Sequence, residues 1–246
     1  MKYYNKYIAI IFILFLNSCS STKLLSASNT IKFSGYEWNV RNGHGGPGDN
    51  EWLAKNVWVD EDGMHLTISR DGDQYSCAEV YTTEAFGFGS YQFQIVGRID
   101  SMNENVVLGL FNYSSDSKSK TNEIDIEFTN LSKWNKSGNA IYSVYPSVLI
   151  KNYKNVYKDF QLELNGSFST HRFTWEHDNV FFQSLHGHTN NNSDEINSWH
   201  YKNSEAPEKY IPQKPLPVHI NLWLHDNTNL DIDKYEVVIK RFKYVE

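Results

Sequence analysis

Cysteine is almost absent from this sequence of 246 residues, with Cys19 and Cys77 the only two, so a disulfide-stapled scaffold is excluded. Lysine and arginine never gather into a block, and the formal net charge is −6, which removes the electrostatic footprint of a nucleic-acid binder. After the first twenty residues no apolar run is long enough to cross a bilayer. No stretch of useful length has helical periodicity, no segment repeats another, and no shift in composition marks a second domain. A Ser-His-Asp triad has no recognisable signature either. What the chain has in quantity is aromatic residues, with 16 Tyr, 14 Phe and 7 Trp, more than a core requires. Such rings suit the weakly polar faces of sugars, although they also fill sandwich cores.

The N-terminus reads as an export signal. Lys2 and Lys6 make a positive start and Tyr7 to Leu16 a short apolar run, too short for a permanent membrane span. The run ends in Leu16-Asn17-Ser18-Cys19, which resembles the lipobox of bacterial lipoproteins, although Asn17 is larger than the usual residue there. Residues 1–19 are therefore expected to be a lipoprotein signal and residues 20–30, rich in serine, a flexible tether. Acyl chains on Cys19 would anchor the protein to a membrane in the cell envelope or at the cell surface, each buried methylene contributing about 0.8 kcal/mol. That leaves Cys77 unpaired.

From Ile31 onward, short aromatic and β-branched runs alternate with turn signals. Strands are expected at Val57–Val59, Met64–Ser69, Cys77–Thr82, Ala140–Val144, Phe160–Leu164, His171–Glu176, Val180–Ser184, His219–Leu224 and Tyr235–Val245. Val106 to Tyr113 is nearly all apolar and is expected to be buried on both faces. The Asn42–Asn50 run, punctuated by glycine and proline, is expected to be an irregular surface loop, as is the Asn-rich Thr189–Glu195. This spacing predicts an all-β sandwich of antiparallel sheets, one domain over residues 31–246.

The most informative stretch is Glu123-Ile124-Asp125-Ile126-Glu127-Phe128. In a strand the three acids share one face while Ile124, Ile126 and Phe128 pack beneath. Three like charges in a row cost free energy, and a merely solvated strand would mix in Lys or Thr. Positions i and i+4 have Cα atoms about 13 Å apart, a gap that two glutamates reaching inward over a concave sheet largely close. Carboxyls about 5–5.5 Å apart suit a retaining glycosidase, one attacking the anomeric carbon and the other protonating the leaving oxygen. Asp125 between them would hydrogen-bond the nucleophile and keep the glutamates in different protonation states.

This hexapeptide resembles the signature of the family-16 glycoside hydrolases, in the form without a bulge found in lichenases and plant xyloglucan-modifying enzymes. The likeness continues in Trp52-Leu53-Ala54-Lys55-Asn56-Val57, in Cys77–Thr82 followed by Phe86–Tyr91, in His171–Trp175, and in Ile220-Asn221-Leu222-Trp223. The resemblance implies a concanavalin-like β-jelly roll and a polysaccharide substrate, with Glu123 as nucleophile, Asp125 as its helper and Glu127 as general acid and base. Glu79, Tyr81, Tyr145, Asn221 and Trp223 fall where relatives contact sugar, while Trp175 reads as core. The sequence departs from lichenases at three places. Thr121 replaces the tryptophan two residues before the nucleophile, Tyr81 an arginine, and Asn50 the cysteine that would pair with Cys77.

No cofactor is expected, and no metal ligand set emerges. His186-Gly187-His188 lacks a third ligand nearby, and Asp226–Asp233 lacks the glycine and terminal glutamate of a calcium loop, although some family members hold structural calcium. The overall expectation is a monomeric, lipid-anchored, endo-acting retaining glycoside hydrolase. A transglycosylase using the same intermediate and a non-catalytic carbohydrate-binding lipoprotein are the alternatives. The sequence does not select the polysaccharide.

Overall fold

The computed structural model describes residues 29–115, 122–130, 138–145, 156–226 and 233–246. Cys19, Thr121, the signal segment and most of the expected tether lie outside them. The chain runs through β1 (Thr30–Phe33), β2 (Tyr36–Val40), β3 (Gly43–Gly45), β4 (Asn50–Trp52), β5 (Val57–Val59), β6 (Met64–Asp71), β7 (Gln74–Phe86) and β8 (Gly89–Val96). It continues through β9 (Val106–Ser114), β10 (Asn122–Phe128), β11 (Ala140–Tyr145), β12 (Tyr157–Phe160), β13 (Phe168–Trp175), β14 (Asn179–His186) and β15 (Glu195–Lys202). One helical turn, α1 (Pro207–Tyr210), precedes β16 (Leu216–Leu224) and β17 (Lys234–Val245).

The strands form a jelly-roll sandwich of two curved layers. The first runs β1–β2–β7–β16–β9–β10–β11–β12, every pairing antiparallel. The second runs β6–β17–β8–β13–β14–β15, with β5 beside β6. β7 joins the layers. Its first residues pair with β4 and β6, and the stretch from Ala78 pairs with β16 and β2.

The core lies between the layers and follows the period of two in the strands. Ile124, Ile126 and Phe128 of β10 are fully buried beneath the acidic face. Across the layers, Tyr142 stacks on Phe182 at 5.0 Å, Phe128 meets His171 at 4.6 Å and Trp38 meets Phe242 edge-on at 5.4 Å. Burying each such side chain contributes about 1.5–3 kcal/mol. Its polar atoms are satisfied too: the Tyr142 hydroxyl donates to Ser184 Oγ at 2.7 Å, and Trp175 Nε1 donates to Pro212 O at 2.9 Å, which makes Trp175 a core residue as expected.

Several local expectations change. The Asn42–Asn50 run is not wholly irregular, because Gly43–Gly45 pairs antiparallel with Asn50–Trp52, leaving only residues 46–49 as the turn. Thr30, assigned to the tether, already pairs with Asn39. Strand β12 ends at Phe160, where Phe160–Leu164 was expected to be the strand, and β15 was not foreseen. Val106–Leu110 is buried on both faces as expected, but Phe111 and Tyr113 are half-buried and open onto a cleft.

Asn50 explains how the fold manages without a disulfide at Cys77. The thiol donates to Asn50 Oδ1 at 3.3 Å, while Asn50 Nδ2 donates to Pro47 O and Leu224 O, both at 2.8 Å. The asparagine thereby ties β4 to β7 and β16 through hydrogen bonds where a covalent link would serve elsewhere. Buried in this way, the Cys77 thiol is pushed up to about 12 and stays protonated.

Candidate active site

Strand β10 carries the acids in unbroken register, pairing residue for residue with β9 and β11 and with no bulge between Glu123 and Glu127. Because directly opposed residues share a face, each acid heads a row across the sheet. Glu123 lies between Tyr145 of β11 and Tyr113 of β9. Asp125 lies between Ser143 and Phe111, and its row continues through His219 to Tyr81. Glu127 lies between Ile141 and Gly109, and its row continues through Asn221 to Glu79.

These rows floor an open cleft of about 750 Å³ that crosses the strands from Tyr157 on β12 to Arg41 just beyond β2. The sheet brings together Glu123, Asp125, Glu127, Glu79, Tyr145, Asn221 and Trp223 in its lining. Tyr81 does not line it. Its ring stacks on His219 at 5.2 Å, so it supports the floor from the neighbouring strand. His186 and His188 lie apart from the cleft; His186 Nδ1 accepts from the Asn165 N–H, and His188 Nε2 meets Ile95 O at 3.0 Å. Of Asp226–Asp233, only the two end residues are described.

Sequence reasoning missed Arg41, Phe111, Tyr113 and Ser143 in the lining, and Gly109 opposite Glu127. Reading β9 with a period of two would have found Gly109, Phe111 and Tyr113, which alternate with buried Leu108 and Leu110. Gly109 is needed for space, since a Cβ there would stand 2.5 Å from Asn221 Oδ1. Arg41 gives no local signal, because its partner Glu79 lies far along the chain.

Electrostatically the site sets a buried carboxyl, Asp125, between two half-buried ones, Glu123 and Glu127, and all three are raised above the ordinary carboxylate range. Burial raises Glu123, repulsion from Glu127 raises it further, and a hydrogen bond from Asp125 acts in the opposite sense. Asp125 is raised by burial, by the charges of Glu123 and Glu127, and by that same hydrogen bond. Burial raises Glu127. One bond that favours the anion at Glu123 and the acid at Asp125 puts the shared proton on Asp125. Both glutamates hold their protons to higher pH than an ordinary carboxylate. Asp125 Oδ1 and Asn221 Oδ1 are buried with no hydrogen bond among the described residues. Each leaves acceptor capacity that a water or a sugar hydroxyl would satisfy.

A curved antiparallel sheet holding protonatable carboxyls along an open, aromatic-sided cleft defines a protein built to bind and process extended glycan chains. The chain belongs to glycosyl hydrolases family 16, whose family model matches residues 47–240. Among solved structures, the beta-glucanase of Bacillus licheniformis aligns with a TM-score of 0.63 at 17% identity, covering 85% of this chain and 92% of its own. The laminarinase from Flavobacterium sp. UMI-01 aligns with a TM-score of 0.64 at 18% identity, covering 85% and 93%. A Mycobacterium tuberculosis protein described as an immunostimulatory antigen and pseudo beta-1,3-glucanase aligns at 0.61 and 16%, covering 89% and 93%. At these identities the likeness shows the fold. A comparison with curated proteins finds no match.

Proposed function

We propose that this protein is a retaining, endo-acting glycoside hydrolase that cleaves β-glycosidic bonds in a polysaccharide. In this reading Glu123 attacks the anomeric carbon while Glu127 delivers its proton to the departing oxygen, forming a covalent glycosyl-enzyme. Glu127, now a carboxylate, takes a proton from water, which displaces Glu123 with a second inversion and restores the starting configuration. Asp125 donates its hydrogen bond to Glu123, steadying the charge that returns there when the intermediate breaks.

The carrying observation is geometric: Glu123, Asp125 and Glu127 stand on one face of β10, without a bulge between them, and all three line the cleft. Two glutamates on one face, with an acid between them, supply the nucleophile and the proton donor that double displacement requires. An open cleft running across the strands from Tyr157 to Arg41 supports internal cleavage, and the unbroken register of β10 supports the non-bulged subtype. Glu79, Tyr145, Asn221 and Trp223 are the proposed substrate-side residues, with Tyr81 acting behind His219. The N-terminal pattern supports export and lipidation at Cys19, which the mass of the mature N-terminal peptide would test.

The function is tested by Glu123→Gln and Glu127→Gln variants assayed on polysaccharides for released reducing ends, with the product anomer followed by NMR. Loss of cleavage in both variants and a β-anomer as first product are expected. Undiminished cleavage by the Glu123→Gln variant, or an inverted product, would overturn the reading. Oligosaccharide products longer than the substrate in the presence of acceptor sugar would instead indicate transglycosylation.

A further inference from the structure

Arg41 is the only lysine or arginine lining the cleft among the described residues, and it is held on several sides. Its Nη1 donates to Glu79 Oε2 at 2.6 Å, its backbone N–H donates to Glu79 O at 2.9 Å, and its guanidinium sits 4.3 Å from the Trp52 ring centroid. Trp52 is itself fully buried and donates Nε1–H to Gly45 O at 2.7 Å. Glu79 has both oxygens engaged, Oε1 with His219 Nδ1 at 3.0 Å and Oε2 with Arg41. The carboxylate is 7% exposed and the arginine side chain 28%, so the arginine is the partner that meets a ligand. A guanidinium has five N–H donors, and the Glu79 contact uses one.

Arg41 continues the row Glu127, Gly109, Asn221, Glu79 onto the next strand. Four strand spacings of about 4.8 Å put it about 19 Å from Glu127 along the sheet. Whatever it touches belongs to a sugar residue well removed from the point of cleavage. Its charge is matched by Glu79, so the pair offers an anionic substituent no net attraction there.

We infer that Arg41 forms a distal subsite for an uncharged sugar residue of an extended polysaccharide, its guanidinium donating to hydroxyl and ring oxygens. Glu79 and Trp52 act as positioning residues that aim it. The inference rests on the glycoside hydrolase reading and names its substrate class: a neutral chain, free of sulfate and uronate, long enough to reach from Glu127 to Arg41.

The test compares wild type with Arg41→Met, which keeps an apolar stem on Trp52 but removes the donors, and with Arg41→Lys, which keeps the charge without the planar fork. Substrates are neutral, sulfated and uronate-bearing polysaccharides and an aryl disaccharide too short to reach Arg41. Wild type is expected to cleave a neutral chain. On that chain, Arg41→Met should lose about tenfold to a hundredfold in kcat/KM, carried mainly by KM, and Arg41→Lys should recover part of it. On the aryl disaccharide both variants should match wild type, which also excludes misfolding as the cause. Unchanged kcat/KM on the long chain, an equal loss on the short substrate, or wild-type cleavage only of sulfated or uronate chains would overturn the inference. Cleavage of nothing by wild type would instead strike the hydrolase reading. Titration of neutral polysaccharide onto wild type and Arg41→Met would then decide the subsite by itself, with equal affinity overturning it.

Discussion

Replacing Gly109 by alanine is expected to damage catalysis as well as stability, and the reason is space beside Glu127. Gly109 stands directly opposite Glu127 on one side and Asn221 on the other. An added Cβ would lie 2.5 Å from Asn221 Oδ1 and 3.4 Å from Phe111 Cδ1. The second contact is tolerable; the first requires the oxygen to retreat by about 1 Å to reach ordinary van der Waals separation. Overpacking of this kind costs about 1–3 kcal/mol of stability. A displacement of about 1 Å in a substrate-positioning group costs on the order of 100-fold in rate. The assay is kcat/KM on the cognate polysaccharide for Gly109→Ala, Asn221→Ala and the double variant, with thermal melts alongside. Because the clash is with Asn221, the double variant should match Asn221→Ala alone, a large coupling between neighbours. Gly109→Ala activity within twofold of wild type, or losses that simply multiply in the double variant, would refute the reasoning.

Four other outcomes follow from the same structure. The raised carboxyls mean that, above the ordinary carboxylate range, the folded triad binds more protons than the unfolded chain, so its contribution to stability falls as pH rises toward neutral. Glu127→Gln should therefore raise the unfolding free energy at pH 7 by on the order of 1–3 kcal/mol, with little gain near pH 4, as denaturant unfolding at the two pH values would read; equal gains at both would contradict the shifts. For wild-type activity, both limbs of the pH profile should lie above those of unperturbed carboxylates, as plots of kcat/KM would reveal. Asn50→Ala leaves Pro47 O, Leu224 O and the Cys77 thiol without their partner, and should cost about 2–4 kcal/mol in denaturant unfolding. Finally, His65 stacks on Trp58 at 4.6 Å. Burial lowers its pKa, but hydrogen bonds to Glu236 and Asp60 outweigh that and hold it above 6.5. Its stabilising contribution is full below pH about 6.5 and is lost as pH rises through the higher folded value. Fluorescence of Trp58, compared with a Trp58→Phe control, should titrate above 6.5.

The acidic strand was legible because alternation of acid with isoleucine is informative wherever one face is buried. The blocks around Cys77 and Asn221 located β7 and β16 of the sheet that carries the acids, and the His171 block located β13 of the facing layer. Strand β9 misled because the floor of a sugar cleft uses the same residue types as a core, so Phe111 and Tyr113 read as interior. Strand β15 went unseen because among the described residues it pairs only with β14, and its first four residues, Glu195 to Ser198, hold a single apolar side chain before Trp199 and Tyr201 pack inward. Tyr81 and His219 depend on which residues oppose each other across β7 and β16, a matter of register after the shift between Pro217 and His219. Arg41 was invisible for a related reason, since Glu79 and Trp52, which give it meaning, meet it only in the folded chain.

The central claim is that Glu123 forms the covalent bond to sugar and Glu127 manages the proton. The most direct test is to react the protein with a 2-deoxy-2-fluoro glycoside bearing a good leaving group, matched to the cleaved chain, and to map the adduct by peptide mass spectrometry. One glycosyl group on the peptide containing Glu123, localised to that residue and absent from the Glu123→Gln variant, is the predicted result. An adduct on Glu127, or turnover of the natural chain with no trappable adduct and an inverted product, would contradict it.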